Sequence, residues 1–500
     1  MTGSVMSIHC VSSAQDFLHT ASPPPLIYSY PLAGHTPFEL YCRMTACASP
    51  SFLLESGERS SGLARYSFFG DRPFLEFIAK ENRYQIRSEG QCIDGQGDAF
   101  ARFWELLGPP KPREDRNLPP FLGGAVGMVS YDLVRQFERL PTYAKADLDI
   151  PDLHFLFIDR LVAIDHEAQT VHLVFAPAPS RVQGEARDRL YREGKDALVE
   201  MADRLFGIPS EPRHAFRHIP PHEVHAEQSA CAYQDRVRAC QAYIESGDIY
   251  QANLSHRFTM TFPHLCREGR SSLAAQVYRQ VNQVNPSPFS ALLSLDQYSL
   301  VSNSPELLLR KRGHRVDTRP IAGTFPRGAT GQVDREQAKR LLADPKERAE
   351  HVMLVDLARN DLGRVCRYGT IRVEEFMTVA RYSHVFHLES LVSGLLQDGI
   401  GNGEILKAVF PGGTITGVPK IRCMELIDQL EPVRRGPYTG SIGYVSWAGD
   451  MDWNILIRTL VLTDHCGYLQ VGAGIVADSV PLREYRETLA KAQAFFQALS

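Results

Sequence analysis

The feature that most constrains this chain lies near its middle. Residues 208–228 gather four prolines (Pro209, Pro212, Pro220, Pro221) and four histidines (His214, His218, His222, His225), a composition that lacks the apolar periodicity of a packed element. It reads as a linker. The 500 residues then divide into a region 1–207 and a region 229–500, each long enough to bury a core.

The two sides differ in texture. Upstream, β-branched and aromatic runs at 64–70, 160–164 and 170–175 predict strands. A helix over 185–205 interrupts them, with Leu190, Leu198, Met201 and Leu205 on one stripe. Downstream, the pattern predicts helices over 233–246, 334–342, 347–360, 404–409, 420–430 and 482–499, the first closed by Gly247. Strand-like runs at 249–260, 440–447, 454–462 and 469–476 separate them. The expected architecture is mixed α and β, with large sheets covered by helices.

Several function classes are disfavoured. A formal net charge of −4 offers no global field for a nucleic-acid backbone. The longest apolar runs fall well short of the roughly 20 residues that span a bilayer, and the first 16 residues carry no basic n-region. A cytoplasmic protein is expected. The ten cysteines form no CxxC pair, which argues for reduced, structural thiols rather than a zinc or redox centre.

Two carboxylate pairs stand out, Glu347 with Glu350 and Glu484 with Glu487, each spaced to share one helix face. Such spacing also arises on any solvated helix, but converging carboxylates would suit a hard divalent cation. Gly472-Ala-Gly474 follows a strand without the helix and distal acid of a dinucleotide fold, so it reads as a loop whose backbone approaches a small anion. The stretch from Phe410 to Lys420, with Gly412, Gly413, Thr414 and Thr416, is a second such loop and is not a Walker sequence. His387 titrates in the range of a general acid or base, although a lone histidine is more often a core residue.

Taken in order, these segments resemble the chorismate-utilising family, whose members make anthranilate, aminodeoxychorismate, isochorismate or salicylate. The resemblance runs through Leu53-Leu-Glu-Ser56, Arg65-Tyr-Ser-Phe-Phe-Gly70, Arg319-Pro-Ile-Ala-Gly-Thr324, Asp356-Leu-Ala-Arg-Asn-Asp-Leu-Gly363, the Thr414 loop, Tyr438-Thr-Gly-Ser-Ile-Gly-Tyr444 and Ile457-Arg-Thr459. It implies an α+β, anthranilate-synthase-like fold of two regions, with large sheets packed as a sandwich and helices outside.

The resemblance also implies a site. Glu350 and Glu487 match direct magnesium ligands, with Glu347 and Glu484 acting through water. Tyr438, Arg458, Gly474 and Lys491, with Gly472 and Gly413, match the surroundings of the substrate's carboxylate. Thr414 and His387 lie by the ring, Glu306 matches the acid that protonates the departing C4 hydroxyl, and Ala322 and Thr324 belong to the catalytic set. Leu54, Glu55, Ser56, Asn285, Pro286, Pro288 and Phe289 match elements of a tryptophan pocket.

Substitutions within the motifs indicate the branch. Water-using members resemble one another in a lysine base where this chain has Gln251, and glutamine cannot deprotonate water, so ammonia is the expected nucleophile. Tyr250-Gln-Ala-Asn253, Asn285-Pro-Ser-Pro-Phe-Ser-Ala291, Gly412-Gly-Thr-Ile-Thr416 and Gly440-Ser-Ile-Gly443 resemble the aminodeoxychorismate branch of p-aminobenzoate and folate biosynthesis. Ala322 is the anthranilate-branch residue where many aminodeoxychorismate enzymes carry lysine. The expected reaction is amination of chorismate to 4-amino-4-deoxychorismate; anthranilate formation and an inactive chorismate-fold subunit are the alternatives. With no Gly-x-Cys-x-Gly elbow, the ammonia is expected from a separate glutamine amidotransferase subunit.

Overall fold

The computed structural model describes residues 9–10, 13–20, 22–56, 65–111, 117–207, 220–262, 265, 267–328, 330–382 and 385–499. Two large sheets dominate it. The first, of 13 strands, runs in the order His9–Cys10, Leu26–Pro31, Thr170–Phe175, Arg160–Asp165, Tyr66–Asp71, Ser51–Glu55, Phe289–Ser294, Ser299–Ser304, Thr459–Leu462, Cys466–Ile475, Gln251–Thr261, Glu223–Ala226, with Gly417–Val418 on Gln251–Thr261. The second, of 12, runs Ile321–Pro326, Val385–Leu395, Arg315–Thr318, Leu307–Arg312, Met451–Ile455, Ser441–Ser446, Gly124–Val129, Leu153–Ile158, Leu75–Lys80, Arg83–Ser88, Gln91–Gln96, with Arg372–Arg381 on Val385–Leu395.

Strands from before residue 208 form one block in each sheet, and later strands form the other. Each sheet therefore has one seam: Ser51–Glu55 against Phe289–Ser294, and Gly124–Val129 against Ser441–Ser446. The inner faces meet in a core that includes Phe52, Phe68, Met128, Leu156, Leu293, Tyr444 and Leu456. Helices Pro37–Thr45, Arg187–Phe206, Arg267–Val284 and Pro481–Leu499 cover the outside of the first sheet, and Ala99–Leu107, Pro345–Gly363 and Asn402–Val409 cover the second. This is the expected sandwich, held by apolar burial on three layers.

Two expectations need correction. Residues 208–219 lie outside the described residues, but 223–226, read as linker, form a strand on Phe258–Thr261, and His222 N–H donates to the Thr261 carbonyl. The long strand Gln251–Thr261 would otherwise end the sheet with an open row of amides, so pairing there satisfies backbone groups whatever the composition. The single strand expected over 454–462 is two strands in different sheets, Met451–Ile455 and Thr459–Leu462. The chain crosses between sheets at 456–458, where Arg458 adopts φ 49°. Only Ile457 and Arg458 interrupt the buried run, a break too short for apolar patterning to mark the crossing. No described helix is long and apolar enough to cross a membrane.

Candidate active site

Strand Gln251–Thr261 pairs with Cys466–Ile475 so that Asn253 lies opposite Gly474 and Ser255 opposite Gly472. Strand alternation puts Gln251 and Asn253 on one face, and both line a cleft of about 280 Å³. The glycines keep that face open. A Cβ on Gly472 would sit 2.4 Å from Asn253 Oδ1 and 2.5 Å from the Tyr438 hydroxyl, and one on Gly474 would sit 2.9 Å from Gln251 Nε2.

One wall of the cleft is acidic. Helix Pro345–Gly363 starts from an Asp344 cap and carries Glu347 and Glu350; helix Pro481–Leu499 carries Glu484 and Glu487; all four glutamates line the cleft. Burial raises the pKa of Glu347, Glu350 and Glu484, and repulsion from Glu487 adds to the rise in each. Gln251 Nε2 donates to Glu350 Oε1 at 2.9 Å, and Lys491 Nζ pairs with Glu487 Oε1 at 2.7 Å while donating to the Gly472 carbonyl. The donor set fits a hard divalent cation in type and charge: several oxygens, mutually repelled, in a half-buried wall. One oxygen of Glu350 is held by Gln251 and one of Glu487 by Lys491, and among the described residues no three His, Cys, Asp or Glu side chains form a ready coordination shell.

The rest of the cleft pairs an acid with a cation. Burial pushes Glu306 up to about 7, opposed by a hydrogen bond from Thr414 and by the Arg458 charge. Thr414 Oγ1 donates to Glu306 Oε1 at 2.7 Å. Arg458 projects from the crossing between the sheets; its guanidinium has no hydrogen-bond or ion-pair partner among the described residues, and burial lowers its pKa. A desolvated arginine of this kind has free capacity for a carboxylate. His387 Nδ1 donates to the Gly323 carbonyl at 2.9 Å, and burial, with Arg458 nearby, lowers its pKa to about 4. The ring is neutral at physiological pH.

The cleft thus brings together Gln251, Glu306, Ala322, Glu347, Glu350, His387, Thr414, Tyr438, Arg458, Gly472, Gly474, Glu484, Glu487 and Lys491. Gly413 is a correction: it does not line the cleft but borders a smaller cavity behind Thr414, where a Cβ would meet Leu357 Cδ2 at 2.2 Å. Its smallness serves helix packing. Lys420, at the end of the same loop, donates to Asp361 and the Val409 carbonyl instead of facing the cleft. The Thr324 side chain lies outside the described residues.

A family model for chorismate binding enzymes matches residues 52–497. The chain belongs to the chorismate-binding enzyme family. It is 42% identical over 93% of its length to anthranilate synthase component 1 of Thermus thermophilus, covering 95% of that protein. It is 39% identical over 87% of its length to aminodeoxychorismate synthase component 1 of Bacillus subtilis, covering 89% of it. Among solved structures, anthranilate synthase component I from Streptococcus pneumoniae aligns with a TM-score of 0.74 at 32% identity, covering 87% of this chain and 92% of that one.

A second cavity of this chorismate-binding enzyme, about 270 Å³, lies beside the two seams and is lined by Leu54, Glu55, Ser56, Pro288 and Phe289, together with Arg65, Arg310, Tyr444, Asp452 and Trp453. Asn285 and Pro286, expected there, are not on its wall; the Asn285 carbonyl instead accepts from Asn303 Nδ2. Sequence reasoning missed Asn253 and Lys346 on the first cleft. Strand alternation from Gln251 carried the signal for Asn253, and adjacency to Glu347 in the first helical turn carried it for Lys346.

Proposed function

We propose that this enzyme aminates chorismate at C4, giving 4-amino-4-deoxychorismate and water, with ammonia from a separate glutamine amidotransferase. The observation that carries it is the cleft's charge: four glutamates from two helices line one cleft together with Arg458 and the Glu306–Thr414 pair. A molecule with a carboxylate at each end needs a cation at each end. Arg458 supplies one, and Tyr438 and Lys491 line the same cleft. Glu350 and Glu487, with Glu347 and Glu484, would hold magnesium, which when bound neutralises the ring carboxylate.

Glu306, pushed up to about 7 and so mostly protonated below that pH, gives its proton to the departing C4 hydroxyl, which leaves as water. The ammonia lone pair forms the new C–N bond, and the proton it sheds restores the carboxyl. Gln251 cannot activate water. Ala322 offers no amine to attack the ring, so ammonia enters C4 directly. Both curated relatives described above are named as a component 1, which supports a partner component, and a cytoplasmic setting agrees with such chemistry. The cavity beside Glu55, lined by five of the seven residues expected of a tryptophan pocket, would take tryptophan.

Formation of anthranilate is the second reading, favoured by Ala322 and by the 42% identity to the Thermus enzyme. The test is purified protein with chorismate, magnesium and ammonium salt. A product that an added lyase converts to p-aminobenzoate supports C4 amination. Fluorescent anthranilate as sole product transfers the assignment, and chorismate binding without turnover at high ammonium identifies an inactive binding subunit.

A further inference from the structure

We propose that Cys42 and Cys47 are a reversible oxidation site, a dithiol that closes to a disulfide when it meets a small hydroperoxide. Helix Pro37–Thr45 is fixed at its start by a reciprocal capping box between Thr36 and Glu39. At its end Ala46 and Cys47 both take left-handed backbone conformations, φ 50° and 55°, which side-chain-bearing residues adopt at a cost. The turn folds Cys47 back over the last helical turn. Thr45 Oγ1 accepts from the Cys47 amide at 3.1 Å, and the two sulfurs lie 3.6 Å apart.

That spacing is a thiol–thiol hydrogen bond, and it is the only sulfur–sulfur contact of its kind among the described residues. Cys92 and Cys231 are exposed and solitary, while Cys240, Cys366 and Cys423 are buried. Cys47 is buried and Cys42 half-buried, so a molecule the size of hydrogen peroxide is a better fit to the site than a bulky disulfide. The hydrogen bond the two thiols share shifts them apart: it holds Cys47 below its ordinary range, although burial opposes it, and together with burial it pushes Cys42 upward. At 3.6 Å either sulfur can resolve a sulfenic acid formed on the other, here with Cys47 as the attacking thiol.

The Cys47 thiolate attacks one peroxide oxygen, the O–O bond breaks, and hydroxide leaves, giving a sulfenic acid at Cys47. The Cys42 sulfur then attacks the Cys47 sulfur; the S–O bond breaks, the hydroxyl leaves as water with the Cys42 proton, and the disulfide forms. Two thiols are oxidised and one peroxide is reduced to two waters. The site is wired to the second cavity. Tyr41 shares a 2.9 Å hydrogen bond with Ser51, and Phe38 stacks on Tyr278, whose hydroxyl donates to Glu55 at 2.7 Å. Closing the dithiol therefore acts on the turn that feeds strand Ser51–Glu55.

The test uses the full chain, reduced and freed of reductant, treated with hydrogen peroxide, blocked with N-ethylmaleimide and digested with trypsin without reduction. Cleavage after Arg43 separates the two cysteines, so a disulfide appears as a linked peptide pair. The expected result is that pair, lost on dithiothreitol treatment, with maleimide uptake at Cys42 and Cys47 falling to under about a tenth of the untreated level. In Cys42→Ser the Cys47 sulfenic acid persists and is captured by dimedone. Undiminished maleimide labelling of both cysteines after peroxide overturns the proposal, as does equal dimedone capture in the unaltered protein and Cys42→Ser.

Discussion

Thr414 Oγ1 donates a 2.7 Å hydrogen bond to Glu306 Oε1, so the carboxyl that burial pushes up to about 7 is aimed by the loop that follows helix Asn402–Val409. The bond favours the ionised carboxylate, and burial outweighs it.

An acid must be protonated to act, so turnover is expected to fall as pH rises through about 7, the value to which Glu306 is pushed. Thr414→Val removes the donor that favours the charged form, and the falling limb should move to higher pH. His387, lowered to about 4, contributes no limb near neutrality. Glu306→Gln should cost about 10²–10⁴-fold in kcat with chorismate KM little changed. Steady-state pH profiles of the three proteins check this.

The same burial has a stability cost with a definite sign. Glu306 binds its proton more tightly folded than unfolded, so stability is lost as pH rises from the ordinary glutamate range through about 7 and the penalty is complete above it. Glu306→Gln should therefore raise Tm at pH 8 and leave it unchanged at pH 4. Equal shifts at both values in a thermal melt would contradict the buried-charge account.

Repulsion among Glu347, Glu350, Glu484 and Glu487 should be relieved by magnesium. At a hundredfold excess over Kd, bound ion stabilises a fold by about 2.7 kcal/mol, visible as a rise in Tm. Glu350→Gln and Glu487→Gln should each reduce that rise and weaken magnesium binding in calorimetry. A magnesium response unaltered in both variants would remove these residues from the metal assignment.

Arg435 is fully buried and donates to both Glu431 oxygens, to the Ile415 and Asn253 carbonyls and to Thr439, while facing the Tyr131 and Tyr438 rings. It ties the Thr414 loop to the cleft strand. Arg435→Met leaves Glu431 charged and buried, and a loss of about 3–5 kcal/mol is expected, read as a lower urea midpoint.

Gly472→Ala tests the bare sheet face directly. The added methyl lies within 2.5 Å of both Asn253 Oδ1 and the Tyr438 hydroxyl, so one of them must move. Overpacking of this kind costs about 1–3 kcal/mol, and chorismate KM should rise more than kcat falls.

Much of this was legible in the chain because local and global preferences agree. Helix Lys420–Leu430 and strand Thr170–Phe175 have the bounds that periodicity predicts, since caps, turns and apolar spacing all act within a few residues. The paired glutamates were visible as helix faces, but that the two faces oppose each other depends on tertiary packing. The crossing at Arg458 and the pairing of 223–226 were hidden for the opposite reason: each is set by backbone partners distant in sequence, not by the residues themselves. Gly413 misled because a glycine needed for helix packing looks, in one dimension, like a glycine needed for a ligand.

The seams carry one more consequence. Ser51 must find Ser294 and Gly124 must find Ser446 before either sheet is whole, so neither can close until most of the polypeptide has left the ribosome. Until then the earlier strands hold open amide rows ready to pair with any passing neighbour. Biogenesis of this enzyme is consequently slow and late, and its front half expressed alone should aggregate.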